Sequence, residues 1–172
     1  MLNWAYFPRS AKPTDLTKQV VAAFEACHAS FTSSEHMHAS NIVLGHVAPY
    51  LIECGFIVEA GKKQSEKVHV PVLYGNNGKV AKSFDADAYH AAGRFVVEVE
   101  AGRGVINNQF LKDLFQACMM DNVDYLAIAV RNVYVAAGVR NQDFENVIRS
   151  FDTIYASNRL QLPLKGILVI GY

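Results

Sequence analysis

Alternating acidic residues lie in two neighbouring segments whose patterning predicts the two strands of a hairpin. The acids are Asp85, Asp87, Glu98 and Glu100. Side chains alternate between the two faces of a strand, so each pair of acids lies on one face. If His90 pairs with Phe95 across the turn, Asp87 lies opposite Glu98 and Asp85 lies opposite Glu100. All four carboxylates then share one face of the hairpin.

The same register gives the hairpin an apolar second face. It would carry Phe84, Ala86, Ala88, Phe95, Val97 and Val99. A slip by one residue would move two of the acids onto this face, because the side-chain period of a strand is two. The hydrophobic pattern therefore selects the register that groups the acids.

Grouped carboxylates repel one another, because directly opposed side chains have Cβ atoms about 5 Å apart. A hard divalent cation such as Mg²⁺, with Mn²⁺ as a substitute, removes this cost and takes oxygen ligands. No Cys or His shares the predicted face, which argues against zinc. Glutamates at alternating positions also fit an ordinary solvent-facing strand, and that interpretation stays open.

Polar and basic residues follow the acidic strand directly. Arg103 lies in a glycine-containing loop, and a helix is predicted to open near Asn107, with Lys112 further along it. Helix N-termini and cationic side chains bind phosphate groups. Metal-binding carboxylates beside phosphate-binding groups are what phosphodiester hydrolysis requires, although each of these three residues also fits an ordinary surface position.

Hydrophobic periodicity predicts the elements that would position these residues. The order is two helices, a run of strands, and then helix, strand, helix, strand, which is typical of an α/β domain with a mixed sheet. One half of the sheet would be an antiparallel hairpin and the other half parallel crossovers. The predicted helices span residues 13–27, 35–54, 105–120 and 143–156, and the predicted strands span 56–60, 68–72, 80–90, 95–100, 125–130 and 166–170.

Composition excludes several classes of protein. The chain has 172 residues, 51% of them hydrophobic, with 16 basic and 16 acidic side chains. These values predict one folded domain over residues 1–172 and exclude a disordered or strongly charged protein. No apolar run is long enough to cross a membrane, and residues 1–11 lack a signal core, so a cytoplasmic location is expected. No glycine-rich phosphate loop follows a strand, so no nucleotide cofactor is expected.

The chain has an acidic residue on one hairpin strand, a turn, and two alternating acids on the next strand, followed by a helix and a buried strand. This order resembles the PD-(D/E)XK nucleases, and most of all the Bam/Bgl branch of type II restriction endonucleases. The resemblance spans residues 35–131. The segments that carry it are Glu98-Val99-Glu100, residues 107–115, residues 123–131 and the helix-to-strand entry at residues 51–59. It implies a restriction-endonuclease-like core and Mg²⁺-dependent hydrolysis of phosphodiester bonds in DNA.

The resemblance assigns site residues by their positions in the motif. Asp87 matches the first metal carboxylate of the family and Glu98 the second, with the carbonyl oxygen of Val99 as a further ligand. Asp85 is the alternative to Asp87 if the hairpin is drawn differently. Glu100 falls where most members have lysine, and the Bam/Bgl branch tolerates glutamate or glutamine there. Glu100 would orient the attacking water or a second metal.

The same branch places a polar side chain from the preceding helix near the metal. Asn41 fits this role best, with Glu35 and Glu53 as alternatives, and a plain surface amide is an equally open interpretation of Asn41. Cleavage of both DNA strands needs two active sites, which implies a homodimer with an isologous interface.

A second function class stays open. A nuclease fold that no longer cuts could act as a binding or regulatory module. The short chain leaves little material for reading bases, and a net charge of zero is unusual for a protein that holds DNA largely through its phosphates. Metal titration together with plasmid nicking separates the two hypotheses.

Overall fold

Ten strands and four α-helices are present among the described residues. The computed structural model describes residues 2–61, 63–102, 105, 107–136 and 138–172. The elements in chain order are β1 (Asn3–Phe7), α1 (Asp15–Cys27), α2 (Ser40–Glu53), β2 (Ile57–Val58), β3 (Val68–Tyr74), β4 (Val80–Ala86), β5 (Ala88–His90), β6 (Phe95–Val99), α3 (Gln109–Met119), β7 (Tyr125–Val130), β8 (Tyr134–Ala136), β9 (Val139–Asn141), α4 (Asp143–Ser157) and β10 (Gly166–Gly171).

Six of the strands form a mixed sheet with the order β1-β10-β7-β6-β5-β2. Strands β6, β7 and β10 are parallel neighbours, whereas β1, β5 and β2 run antiparallel to their partners. The remaining strands form two separate hairpins, β3–β4 and β8–β9. The predicted mixed α/β architecture, with an antiparallel half and a parallel half, is confirmed.

Helices cover both faces of the sheet. On one face Val20 of α1 and Val47 of α2 are buried, and on the other Leu114 of α3 and Phe151 of α4 are buried. Alternation along β7 serves both layers, because its large residues point to α3 and α4 while its alanines point to α1 and α2. The carboxylates of β6 point to the α3 layer, since Val96 on the same face belongs to that layer. Among the described residues, no helix combines the length and apolar character that spanning a membrane requires.

The N-terminus of α1 is capped by Thr14. Its hydroxyl accepts a hydrogen bond from the Thr17 backbone N–H at 3.1 Å. We expect Thr14→Ala to lower the free energy of unfolding by about 1 kcal/mol, or roughly 3 °C in melting temperature. Thr153→Ala, at an exposed position inside α4, is the matched control and should be neutral or slightly stabilising, because alanine is the better helix former. Equal melting temperatures for the two variants would contradict the cap.

Helix α2 begins at Ser40, so the prediction that it begins at Glu35 is wrong. The Ser33 hydroxyl donates to the carbonyl oxygen of Tyr172 and accepts from the Asn132 N–H. These long-range hydrogen bonds hold the segment before α2 in turns. Helix α3 likewise begins later than predicted, at Gln109, after Asn108 in a left-handed conformation.

Candidate active site

The β5–β6 hairpin has the predicted register. His90 pairs with Phe95, Tyr89 with Val96, and Ala88 with Val97. The turn is held by a 2.7 Å hydrogen bond from the Gly93 backbone N–H to His90 Nδ1. This register brings Asp87, which directly precedes β5, to the level of Glu98.

The strand before Asp87 does not continue as predicted. The expected strand over residues 80–90 breaks at Asp87, and its first part, β4, pairs with β3 in a separate hairpin. Asp85 therefore lies opposite His69, with 2.7 Å between His69 Nδ1 and Asp85 Oδ1. The prediction that Asp85 lies opposite Glu100 is wrong, and with it goes the four-acid face that suggested Asp85 as a metal ligand.

The prediction for the apolar face is also wrong for the residues before Asp87. Ala88 packs in the α1–α2 layer together with Phe95, Val97 and Val99, as predicted. Ala86 and Phe84 pack instead with the α3–α4 layer. The backbone changes course at Asp87, so residues before and after it no longer share a face with the predicted period.

Asp87 and Glu98 are tied together through the backbone. Asp87 Oδ2 accepts a 2.7 Å hydrogen bond from the Val99 N–H. The Glu98 carboxylate in turn accepts a hydrogen bond from the Asp87 N–H. Each acid is thus oriented by the strand that carries the other.

A further acid joins them from α3, and the sequence analysis missed it. Asp113 is only 5% exposed, and its carboxyl group is hydrogen-bonded to that of Glu100. Asp113 Oδ2 is buried, and none of the described residues supplies a hydrogen-bond donor to it. The signal was present in the sequence, because Asp113 lies on the apolar stripe of α3 between Phe110 and Ala117.

Burial raises the pKa values of all four acids, and repulsion between carboxylates adds to the shifts of Asp87, Glu98 and Glu100. Burial raises the pKa of Asp87 to about 6, and nearby Glu59 and Asp113 add to the shift. Burial, followed by repulsion from Asp87 and Asp113, raises the pKa of Glu98 well above its ordinary value. Burial and the hydrogen bond with Asp113 raise the pKa of Glu100 to about 8. The pKa of Asp113 is also raised, mainly by burial.

A cavity of about 490 Å³ opens beside Asp87. The first turn of α2 contributes Ser40 and Asn41 to its wall, and Glu59 and Lys67 line it as well. Ala39, which precedes α2, makes no side-chain cap hydrogen bond, so backbone N–H groups of this turn are left without a side-chain acceptor. Asn41 and Asp87 thus line the same cavity.

The two alternatives to Asn41 lie elsewhere. Glu53 borders a pocket between α1 and α2, together with Tyr50. Glu35 lies in the turns before α2, in a pocket shared with His36 and Arg131. Neither of these pockets contains one of the four clustered acids.

The expected phosphate-binding residues are placed as follows. Lys112 is exposed on α3 next to Asp113, and its charge lowers the pKa values of Glu100 and Asp113. Asn107 is exposed in the turn before α3. Arg103 lies outside the described residues.

The donor set of the acid cluster (Asp87, Glu98, Glu100 and Asp113) fits a hard divalent cation. Its side chains offer carboxylate oxygens alone, and these are ligands that such an ion prefers. In the described part of the chain, no three His, Cys, Asp or Glu side chains are arranged as a ready-made ion site. Binding an ion would therefore require these carboxyl groups to turn toward a common point.

Comparison with known proteins identifies the fold. No protein-family model matches the chain, and no curated protein sequence matches it. Among solved structures, the crystal structure of restriction endonuclease BglII complexed with a DNA 16-mer is similar, with a TM-score of 0.53 and 11% sequence identity. The match covers 99% of this chain and 75% of the BglII chain. The chain therefore has a restriction-endonuclease-like α/β fold.

Proposed function

We propose that the chain is a divalent-metal-dependent endonuclease that hydrolyses phosphodiester bonds in DNA. The observation that carries this proposal is the acid cluster, four carboxyl groups brought together from three elements at a cost in electrostatic repulsion. Catalytic sites commonly accept such a cost. The fold shared with BglII, whose structure was solved with DNA, supports DNA as the substrate.

In this proposal Asp87, Glu98 and the Val99 carbonyl hold the ion. A bound Mg²⁺ or Mn²⁺ supplies charge stabilisation at the phosphate and lowers the pKa of water. Glu100 orients the attacking water and accepts its proton, a task suited to a carboxylate whose pKa is about 8. Water adds to phosphorus as its proton passes to Glu100, and Asp113 shares that proton. The bond from phosphorus to the leaving sugar oxygen breaks, and that oxygen takes up a proton from solvent.

Cleavage of duplex DNA adds a requirement for assembly. One acid cluster can act on one strand at a time, so we propose a homodimer with two-fold symmetry that presents two sites. Asn107, Lys112 and Arg103 are the residues proposed to contact DNA phosphates near each cluster. Asn41 is proposed to contribute from α2.

The alternative is a nuclease-fold protein that binds without cutting. The observation that favours it is Glu100 itself, which occupies the position of the usual lysine and is paired with Asp113 rather than with a cation. Nicking of a supercoiled plasmid in Mg²⁺ and in Mn²⁺ tests the choice. Conversion to the open-circular form supports the nuclease, and an intact plasmid under varied metals and substrates supports the binding module.

Metal binding is measured separately by thermal stability. We expect Mg²⁺ or Mn²⁺ to raise the melting temperature, because an ion that binds only the folded state adds about 2.7 kcal/mol at a hundredfold excess over Kd, or roughly 8 °C. Asp87→Asn, which removes one ligand charge, should lose most of this rise. A melting temperature that stays constant across the titration, with no heat of binding by calorimetry, would contradict the metal site.

A further inference from the structure

A partly buried ion pair lies beside Asp87 on the wall of the cavity. Lys67 Nζ is 2.7 Å from Glu59 Oε2, and the two side chains are 24% and 15% exposed. The Glu59 backbone N–H donates to the Asp87 carbonyl at 2.8 Å, which fixes the pair next to the acid cluster. Both partners line the cavity together with Asp87 and Asn41.

Lys67 acts electrostatically on the acid cluster. Its charge lowers the pKa of Asp87, while Glu59 raises it. Among the described residues that line the cavity, Lys67 carries the positive charge, and Lys112 lies outside it on α3. An anion that enters the cavity would therefore meet the Lys67 ammonium group beside the carboxylates of Glu59 and Asp87.

We propose that Lys67 binds a backbone phosphate of the nucleic acid that enters this cavity, and that Glu59 holds Lys67 in position until the phosphate replaces it. The identity of the ligand rests on the proposed function. Lysine is a common phosphate ligand that acts as a point charge. Exchange of one anion for another keeps the ammonium group paired throughout, so it is never left buried without a partner.

This exchange predicts opposite effects for the two partners. Glu59 competes with the phosphate for Lys67. Removing the carboxylate by Glu59→Gln should therefore strengthen binding, whereas Lys67→Met should weaken it. A purely structural ion pair predicts the same sign for both, because either change breaks the pair.

The test measures binding of a labelled 30-base-pair duplex by fluorescence anisotropy in EDTA, at about 50 to 200 mM KCl. Non-specific affinity comes largely from phosphate contacts, so an arbitrary sequence suffices. We expect Lys67→Met to bind roughly tenfold more weakly and to reduce the slope of log K against log salt by about 0.9. Glu59→Gln should bind severalfold more tightly, and the double variant should bind like Lys67→Met.

Matched controls come from elsewhere in the chain. Lys18→Met disrupts an exposed lysine–carboxylate pair with Asp15, and Glu25→Gln removes one exposed acid of α1. Neither should change the slope, and circular dichroism checks that each variant is folded. A slope unaltered by Lys67→Met, weaker binding by Glu59→Gln, or a gain from Glu59→Gln that persists in the double variant would overturn the proposal.

Failure of the proposed function can be distinguished from failure of the role of Lys67. If wild type nicks plasmid DNA but Lys67→Met keeps the full slope, only the role of Lys67 is lost. If the slope depends on Lys67 but no metal supports nicking, only cleavage is lost. If wild type binds no duplex at any of these salt concentrations, both are overturned.

Discussion

Replacing Glu98 with glutamine is expected to reduce plasmid nicking by at least about a hundredfold while the protein stays folded. The side chain is largely buried at the centre of the acid cluster, beside Asp87. Glutamine keeps its shape and can still accept the hydrogen bond from the Asp87 N–H. What it removes is a ligand charge that the proposed ion needs, and with it one source of repulsion.

The comparison is made in Mn²⁺ and in Mg²⁺, with the melting temperature of the metal-free protein as the second measurement. Glu25→Gln, an exposed change on α1, is the matched control and should keep full activity. Asp87→Asn should lose activity as Glu98→Gln does. A Glu98→Gln variant that nicks at the wild-type rate, or that melts well below wild type without metal, would contradict a catalytic cluster.

Replacing Glu100 with glutamine should stabilise the metal-free protein at pH 8 and have little effect at pH 5. Burial and Asp113 raise the pKa of Glu100 to about 8 in the folded state. The folded state therefore binds a proton more tightly than the unfolded chain, and stability is lost as pH rises from the ordinary carboxyl range through about 8. Glutamine supplies the missing donor to Asp113 at every pH.

The expected gain at pH 8 is on the order of 2 kcal/mol after allowance for solvent screening, or roughly 6 °C. Thermal melts in EDTA between pH 5 and pH 8.5 measure it. Asp87 and Asp143, whose pKa values burial raises to about 6, contribute to the wild-type profile at lower pH and remain in the variant. A variant with the wild-type pH profile would show that Glu100 and Asp113 do not share a proton.

Local patterns were enough to predict the hairpin and the parallel strands. Alternation across residues 95–100 and the short turn fixed the pairing of His90 with Phe95, because any other register would have buried acids in the core. Strand β7 has the predicted bounds, since its continuous apolar run is typical of a strand buried on both faces. These features depend on neighbours in the sequence.

The features that were not predicted depend on contacts between residues that are distant in the chain. Strand β1 was not predicted, because its place is decided by pairing with β10 at the other end of the sequence. Because β4 pairs with β3, Asp85 lies opposite His69. Asp113 joined the acid cluster only because α3 packs on the face of the sheet to which Glu98 points, a tertiary contact that helical periodicity alone does not reveal.

The break at Asp87 constrains how the length of this chain can vary among natural variants. Asp87 and Glu98 are joined by β5, the turn and β6, so inserting or deleting a single residue there would carry one acid to the opposite face. The turn between β3 and β4 carries no such constraint, because it joins the far ends of a hairpin outside the main sheet. We therefore expect natural variants to tolerate insertions and deletions around residues 75–79 and to lack them between Asp87 and Glu98.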